Sequence, residues 1–239
     1  MKKKFDPIWD HKYKKGHAEK YPWDSVVSFV FRHRSNKSAR ETNILEIGCG
    51  TGANLWFAAR EGFQVSGIDG SKYAIEYAKK RFKAEKLKGE FIVGNFLSLP
   101  YNRNSFDLII DRAALACVGK SDIKKAIDDI HNILKPGGKF FFTPYSNKNA
   151  SAKSGIKKED DLIVGISDGG LQGVGQLVFF SLNEVKKIFS KKKWEIVSLE
   201  SVTKQNHISK NKTEEFHVVV MKLFPDSNSS DSRKGIKFE

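Results

Sequence analysis

Cysteine is nearly missing from this 239-residue chain. Cys49 and Cys117 are its two thiols, too few for a disulfide framework and without zinc-ligand spacing. That scarcity points to a reducing cytoplasm. The six histidines fall at 11, 17, 33, 131, 207 and 217 with no His-x-x-x-His pair, so no metal site is expected. No apolar run approaches the ~18 residues of a membrane span, and the opening Met-Lys-Lys-Lys-Phe-Asp-Pro lacks the apolar core of a secretion signal. Arginine is also scarce, 8 residues against 34 lysines. Arginine supplies the bidentate forks that read phosphates and bases, whereas lysine is a diffuse point charge. The net charge of +14 therefore reads first as a solvated lysine-rich surface. A nucleic-acid partner is the second reading, and a small-molecule substrate the first. Length and a hydrophobic content of 39% fit one large globular domain.

After residue 40, strand-like and helix-like segments alternate. Apolar runs at 43–48, 64–69, 90–93, 106–111 and 139–143 read as strands. Residues 51–61 and 71–82 read as helices, as does the stretch opening at Ser121 and stopped by Pro136-Gly137-Gly138. Ser181-Leu182-Asn183-Glu184 is a capping box that opens a further helix, and 194–199 and 215–223 read as closing strands. Such alternation predicts an α/β, doubly wound, mostly parallel sheet with ligands at the carboxyl ends of its strands. Three segments stand apart: an aromatic, basic lead-in over 1–40 (Phe5, Trp9, Tyr13, Tyr21, Trp23) that includes a short helix at 24–32, a Gly- and Lys-rich stretch over 145–180, and a polar tail over 225–239.

The sharpest chemical signal is Glu46-Ile47-Gly48-Cys49-Gly50-Thr51-Gly52, where a strand runs into a helix. Alternate glycines permit a tight turn and close approach of a ligand to the backbone. The following helix start offers free N–H groups. Asp69 ends the next strand, where a carboxylate can accept from both hydroxyls of a ribose. Together they form a nucleoside-cofactor site. Gly48-x-Gly50-x-x-Ala53 also satisfies a dinucleotide pattern, so a nicotinamide dehydrogenase stays open on these residues alone.

Across residues 40–224 the chain resembles the class I S-adenosylmethionine-dependent methyltransferases. The resemblance is carried by Ile44–Gly52, Val65–Asp69, Ser105–Asp111 and Leu134–Lys139, in order and at family-like intervals. It implies a seven-stranded Rossmann-like sheet with an antiparallel last strand, and S-adenosyl-L-methionine as cofactor. Glu46, Gly48, Cys49, Gly50 and Gly52 would lie at its methionine end, Cys49 mainly as packing. Asp69 would hold the ribose. Gly70 and Ser71 would flank the adenine, with Phe96 on one face. Asn95 would accept from the adenine amino group, where the family usually carries an acid. Asp111 and Arg112 would sit beside the methyl position. The lead-in, through Trp9, Tyr13 and Tyr21–Asp24, resembles that of bacterial small-molecule methyltransferases and would fold over the cofactor.

Methyl transfer needs chiefly alignment, and a hydroxyl acceptor also benefits from a base. Asp111 and Tyr145 are the candidates in the domain, and His11 and His17 those in the lead-in. His131 and His217 read as packing. Asp111-Arg112-Ala113-Ala114 is not the Asn/Asp-Pro-Pro-Tyr of adenine-N6 enzymes, and no Pro-Cys nucleophile stands ready for cytosine. The expected domain spans 41–224, with 1–40 and 145–180 as cap. The expected acceptor is a hydroxyl of a sugar or related metabolite. RNA methylation and a cofactor-binding protein without turnover are the rivals.

Overall fold

The computed structural model describes residues 6–34, 38–208 and 211–224. Phe5 of the lead-in and the tail over 225–239 lie outside them. The lead-in forms α1 (Pro7–Lys14) and α2 (Asp24–His33). Next come β1 (Asn43–Ile47), α3 (Ala53–Arg60), β2 (Gln64–Asp69), α4 (Lys72–Ala84), β3 (Glu90–Val93) and β4 (Phe106–Asp111). The chain continues through α5 (Lys120–Ile133), β5 (Leu134–Phe142), two-residue strands β6 (Ile156–Lys157) and β7 (Ile163–Val164), α6 (Leu182–Ile188), β8 (Trp194–Gln205) and β9 (Lys212–Lys222).

Seven strands make one sheet in the order β3-β2-β1-β4-β5-β9-β8. Pairs among the first five are parallel, and β9 is antiparallel to both β5 and β8. The central strands can be near-continuous apolar runs because helices bury both faces. On one face α5 and α6 set Ile123, Ile127, Ile130 and Val185 against Leu45, Ile109 and Phe140. On the other, α2, α3 and α4 set Val26, Phe29, Leu55, Ala78 and Phe82 against Ile44, Leu108 and Phe141. The strand order turns back between β1 and β4, which opens a crevice at their carboxyl ends.

Several boundaries differ from the sequence expectation. Pro136-Gly137-Gly138 does not separate helix from strand. β5 begins at Leu134, and its register with β4 jumps from Phe106↔Leu134 to Leu108↔Lys139. The extra residues loop out as a bulge, held by the Lys135–Asp107 ion pair at 2.7 Å and by Gly137 at φ 75°. Ser121 does not cap α5. Gly119 is the cap, and Ser121 instead donates from its N–H and its hydroxyl to Asp160. The closing strands run several residues further into polar sequence, because there β8 and β9 pair with each other along a two-stranded ribbon. The 145–180 stretch folds into short turns and the β6–β7 ribbon, and buries Ile166, Leu171, Leu177 and Phe179 against Ala116.

Candidate active site

At the end of β1 the chain turns through Gly48, Gly50 and Gly52 at φ 62°, 52° and 74°, a left-handed conformation that L side chains resist. The three glycines serve different ends. A Cβ on Gly48 would stand 2.2 Å from the Ala114 Cβ, and one on Gly50 2.7 Å from the Tyr13 hydroxyl. A Cβ on Gly52 would meet Ala78 and Phe91 of the core. Gly52 thus serves helix–sheet packing and does not line the cavity, contrary to the sequence expectation.

Asp69 fastens this turn. Its Oδ2 accepts from the Gly50 N–H at 2.9 Å and its Oδ1 from the Ser71 N–H at 2.8 Å. Burial pushes the Asp69 carboxyl up, against those two bonds. Each oxygen keeps a second lone pair for a ligand hydroxyl. Glu46 is 3% exposed. Its Oε1 accepts from the Asn54 amide at 2.6 Å, while its Oε2 is buried with no partner. Burial pushes its ionisation up to about 8.

A cavity of ≈ 240 Å³ lies over these groups, with Gly48, Cys49, Gly50, Gly70 and Phe96 also on its wall. The roof is α1. Trp9, Tyr13 and His17 form a ladder of rings with centroids 6.1 and 5.5 Å apart, and all three line the cavity. Hydrogen bonds tie the lead-in down, among them one from the Arg81 guanidinium to the Lys20 carbonyl at 2.6 Å. The Ser71 hydroxyl donates to Asp10 at 2.7 Å, and the Gln176 N–H to Asp6 at 3.2 Å. The Thr51 hydroxyl donates to the Glu19 carbonyl, and the Trp23 N–H to Asn54 at 3.0 Å. From the 145–180 segment, Tyr145, Val174 and Leu177 close the side.

The far wall carries Arg112 at the end of β4. Its guanidinium lies 4.1 Å over the Trp23 ring and 3.3 Å from Glu215, and bonds the Tyr145 side chain. Burial pushes the Tyr145 hydroxyl up to about 12.

Other candidates stand elsewhere. Asp111 is fully buried and does not line the cavity. Its Oδ1 accepts from the Leu115 N–H at 2.8 Å, holding the turn that follows β4, and burial pushes it up to about 7. Asn95 spends its carbonyl on the Leu97 N–H at 3.0 Å and is off the cavity wall. Ser71 caps α4 and faces α1, not the cavity. His11 is exposed outside the site. His131 packs edge-on against Trp194, and His217 bonds Glu215 at 2.8 Å. Sequence reasoning missed Asn54 and Glu19. Asn54 did leave a trace, as a polar residue beside Leu55 at the start of an apolar helix face.

The buried acids set a pH dependence. Glu46 and Asp111 ionise near 4.5 and 3.8 in an unfolded chain and near about 8 and about 7 in the folded one. The folded protein retains protons that the unfolded chain releases, so their contribution to stability declines as pH rises through this window. The ligand-free melting temperature is expected to fall between pH 5.5 and 8.5, with a shallower slope in Glu46→Gln. A flat profile, or an unchanged slope in the variant, contradicts this.

Residues 44–138, which hold the glycine turn, Asp69 and β4, match the family model described as a methyltransferase domain. Among curated relatives, the norajmaline N-methyltransferase of Rauvolfia serpentina is 32% identical over 127 residues, 52% of this chain and 43% of that protein. The demethylmenaquinone methyltransferase of Oceanobacillus iheyensis is 33% identical over 129 residues, 48% of this chain and 52% of that one. The chain thus spans about half the length of the curated relatives it matches. Among solved structures, a SAM-dependent methyltransferase of Methanosarcina mazei superposes with a TM-score of 0.68 at 22% identity, over 82% of this chain and 98% of that one. The fold is the Rossmann-like methyltransferase fold, and the Methanosarcina mazei protein that shares it is dependent on S-adenosylmethionine.

The residues present suit that cofactor. The unpartnered Glu46 Oε2 can take an ammonium group, the left-handed glycines leave the turn open to a close ligand, and Asp69 has lone pairs to spare for ribose hydroxyls. No helix of the described residues is long and apolar enough to cross a membrane.

Proposed function

We propose that this chain transfers a methyl group from S-adenosylmethionine to a hydroxyl of a small metabolite, a sugar or a relative of one, in the cytoplasm. The observation that carries the reading is the roof. α1 and the 145–180 segment meet through Asp6 and Gln176 above the cavity, a cover that suits a small acceptor better than a polymer. Residues 1–40 and 145–180 then act as the cap of a domain over 41–224.

When bound, the cofactor supplies an electrophilic methyl group. Glu46, Gly48, Gly50, Asp69 and Gly70 hold it, with Phe96, Trp9 and Tyr13 packing around it. Arg112 and Tyr145 face the acceptor. Tyr145 keeps its proton at neutral pH, so it orients the acceptor rather than deprotonating it. Asp111 supports this wall from behind.

The test is transfer of label from S-adenosylmethionine to a panel of hydroxylated metabolites, with RNA as a parallel arm. Turnover on a small hydroxyl compound is the expected result. The RNA reading draws on the +14 charge, and predicts labelled RNA with binding that falls steeply with salt. RNA labelling without small-molecule turnover overturns the proposal.

A further inference from the structure

The chain carries 42 Lys and Arg residues and a net charge of +14, yet the cavity is acidic. Asp6, Glu19, Glu46 and Asp69 line it, and Arg112 is the one Lys or Arg among its described lining residues. The surface lysines keep their charges in solvent, so a guanidinium at this wall bears a desolvation cost that a neutral side chain would avoid.

Its local compensation is incomplete. The Arg112 side chain is 11% exposed, and its Nε is buried without a partner. Among the described residues its one ion pair is with Glu215 Oε1 at 3.3 Å; the buried Glu46 and Asp111 carboxyls also feel its charge, but burial favours their neutral forms. The same Glu215 oxygen is also bonded by His217 Nε2 at 2.8 Å. One carboxylate oxygen therefore serves two basic groups. The Trp23 ring at 4.1 Å and the Tyr145 hydroxyl fix the guanidinium plane without neutralising it.

Position assigns the group to the acceptor side. Asp69 ends β2 and Gly70 follows it, on the outer side of the crevice toward β3. Arg112 directly follows β4, and Tyr145 follows β5, on the opposite side. A desolvated, stacked and under-compensated guanidinium on that wall is a receptor for anionic oxygen.

Resting on the methyltransferase reading above, we propose that Arg112 selects acceptors that carry an anionic oxygen group beside the methylated hydroxyl. A carboxylate, as in a uronic acid or an aromatic hydroxy acid, and a phosphate monoester share this chemistry. Arg112 is thus a specificity-determining residue, with Trp23 and Tyr145 as its positioning residues.

Calorimetry on the full chain saturated with S-adenosylhomocysteine tests this with matched pairs: glucuronate against glucose, 4-hydroxybenzoate against 4-hydroxybenzamide, and glucose 6-phosphate as the phosphate arm. In at least one pair the anion is expected to bind about tenfold tighter or more, the range of a charge-assisted contact. The arm that binds tells carboxylate from phosphate. Arg112→Gln is expected to erase the preference and Arg112→Lys to keep part of it, both with S-adenosylhomocysteine affinity within about threefold of the parent, which also reports a folded site. If no anion is preferred over its neutral partner, or the preference survives Arg112→Gln, the proposal is overturned. It is also overturned if Arg112→Gln mainly destroys S-adenosylhomocysteine affinity, because the guanidinium then serves the cofactor. Failure of the parent to bind S-adenosylhomocysteine would instead bring down the methyltransferase reading, and this proposal with it.

Discussion

Replacing Asp69 with alanine is expected to weaken S-adenosylhomocysteine binding by about 10- to 150-fold, or 1.5–3 kcal/mol, the worth of hydrogen bonds to a charged group. The carboxylate does two jobs at once. It accepts from the Gly50 and Ser71 N–H groups at 2.9 and 2.8 Å, joining the glycine turn to the start of α4, and in the proposed function its remaining lone pairs accept from the ribose hydroxyls. Alanine removes both and leaves two buried N–H donors without an acceptor. Asp69→Asn is expected to fare little better. Its NH₂ must point at one of those two N–H groups, so one backbone bond becomes a donor facing a donor. Calorimetric titration of each variant with S-adenosylhomocysteine checks this, and unchanged affinity in Asp69→Ala contradicts the ribose assignment.

Gly48→Ala is expected to cost about 2–5 kcal/mol of stability. About 1–2 comes from placing an L residue at φ 62°, and the rest from overpacking. The new Cβ falls 2.2 Å from the Ala114 Cβ, and Ala114 cannot swing aside. It sits between Ala113, itself at φ 61°, and Leu115, whose N–H is bonded to Asp111. Either the glycine turn or the turn after β4 must move, and both line the cavity. Against a typical total of about 5–15 kcal/mol, a melting temperature lowered by several degrees and a loss of cofactor binding are the expected readouts. A variant with parental melting temperature and affinity would mean that the two turns are not packed as described.

Much of the fold was legible in the sequence because a parallel sheet covered on both faces writes its strands as short, largely apolar segments. Asn43–Ile47, Gln64–Asp69 and Phe106–Asp111 stand where such segments predict. The strand bounds failed where pairing, not apolarity, extends the element: at the Pro136-Gly137-Gly138 bulge and along the polar ends of β8 and β9. In the site, spacing located the glycine turn and Asp69, but spacing does not reveal the direction of a side chain. Asp111 ends β4 on the ligand side, and Ser71 and Asn95 stand two residues past β2 and β3. Each nevertheless turns an oxygen to neighbouring backbone or to α1 (Asp111 Oδ1 to Leu115, Asn95 Oδ1 to Leu97, the Ser71 hydroxyl to Asp10), while Asp111 Oδ2 is buried with no partner. The roof was harder to read. An aromatic lead-in signals packing of some kind, while the Asp6–Gln176 and Asp10–Ser71 ties that seat it join residues 170 and 61 positions apart.

One titration tests the central claim most directly: the purified chain, at neutral pH, against S-adenosylmethionine and S-adenosylhomocysteine in a calorimeter. One-to-one binding of both compounds, lost or much reduced in Asp69→Ala, is the predicted result. No heat from either compound would contradict the claim that the β1 turn, Asp69 and Glu46 form a seat for the methyl donor.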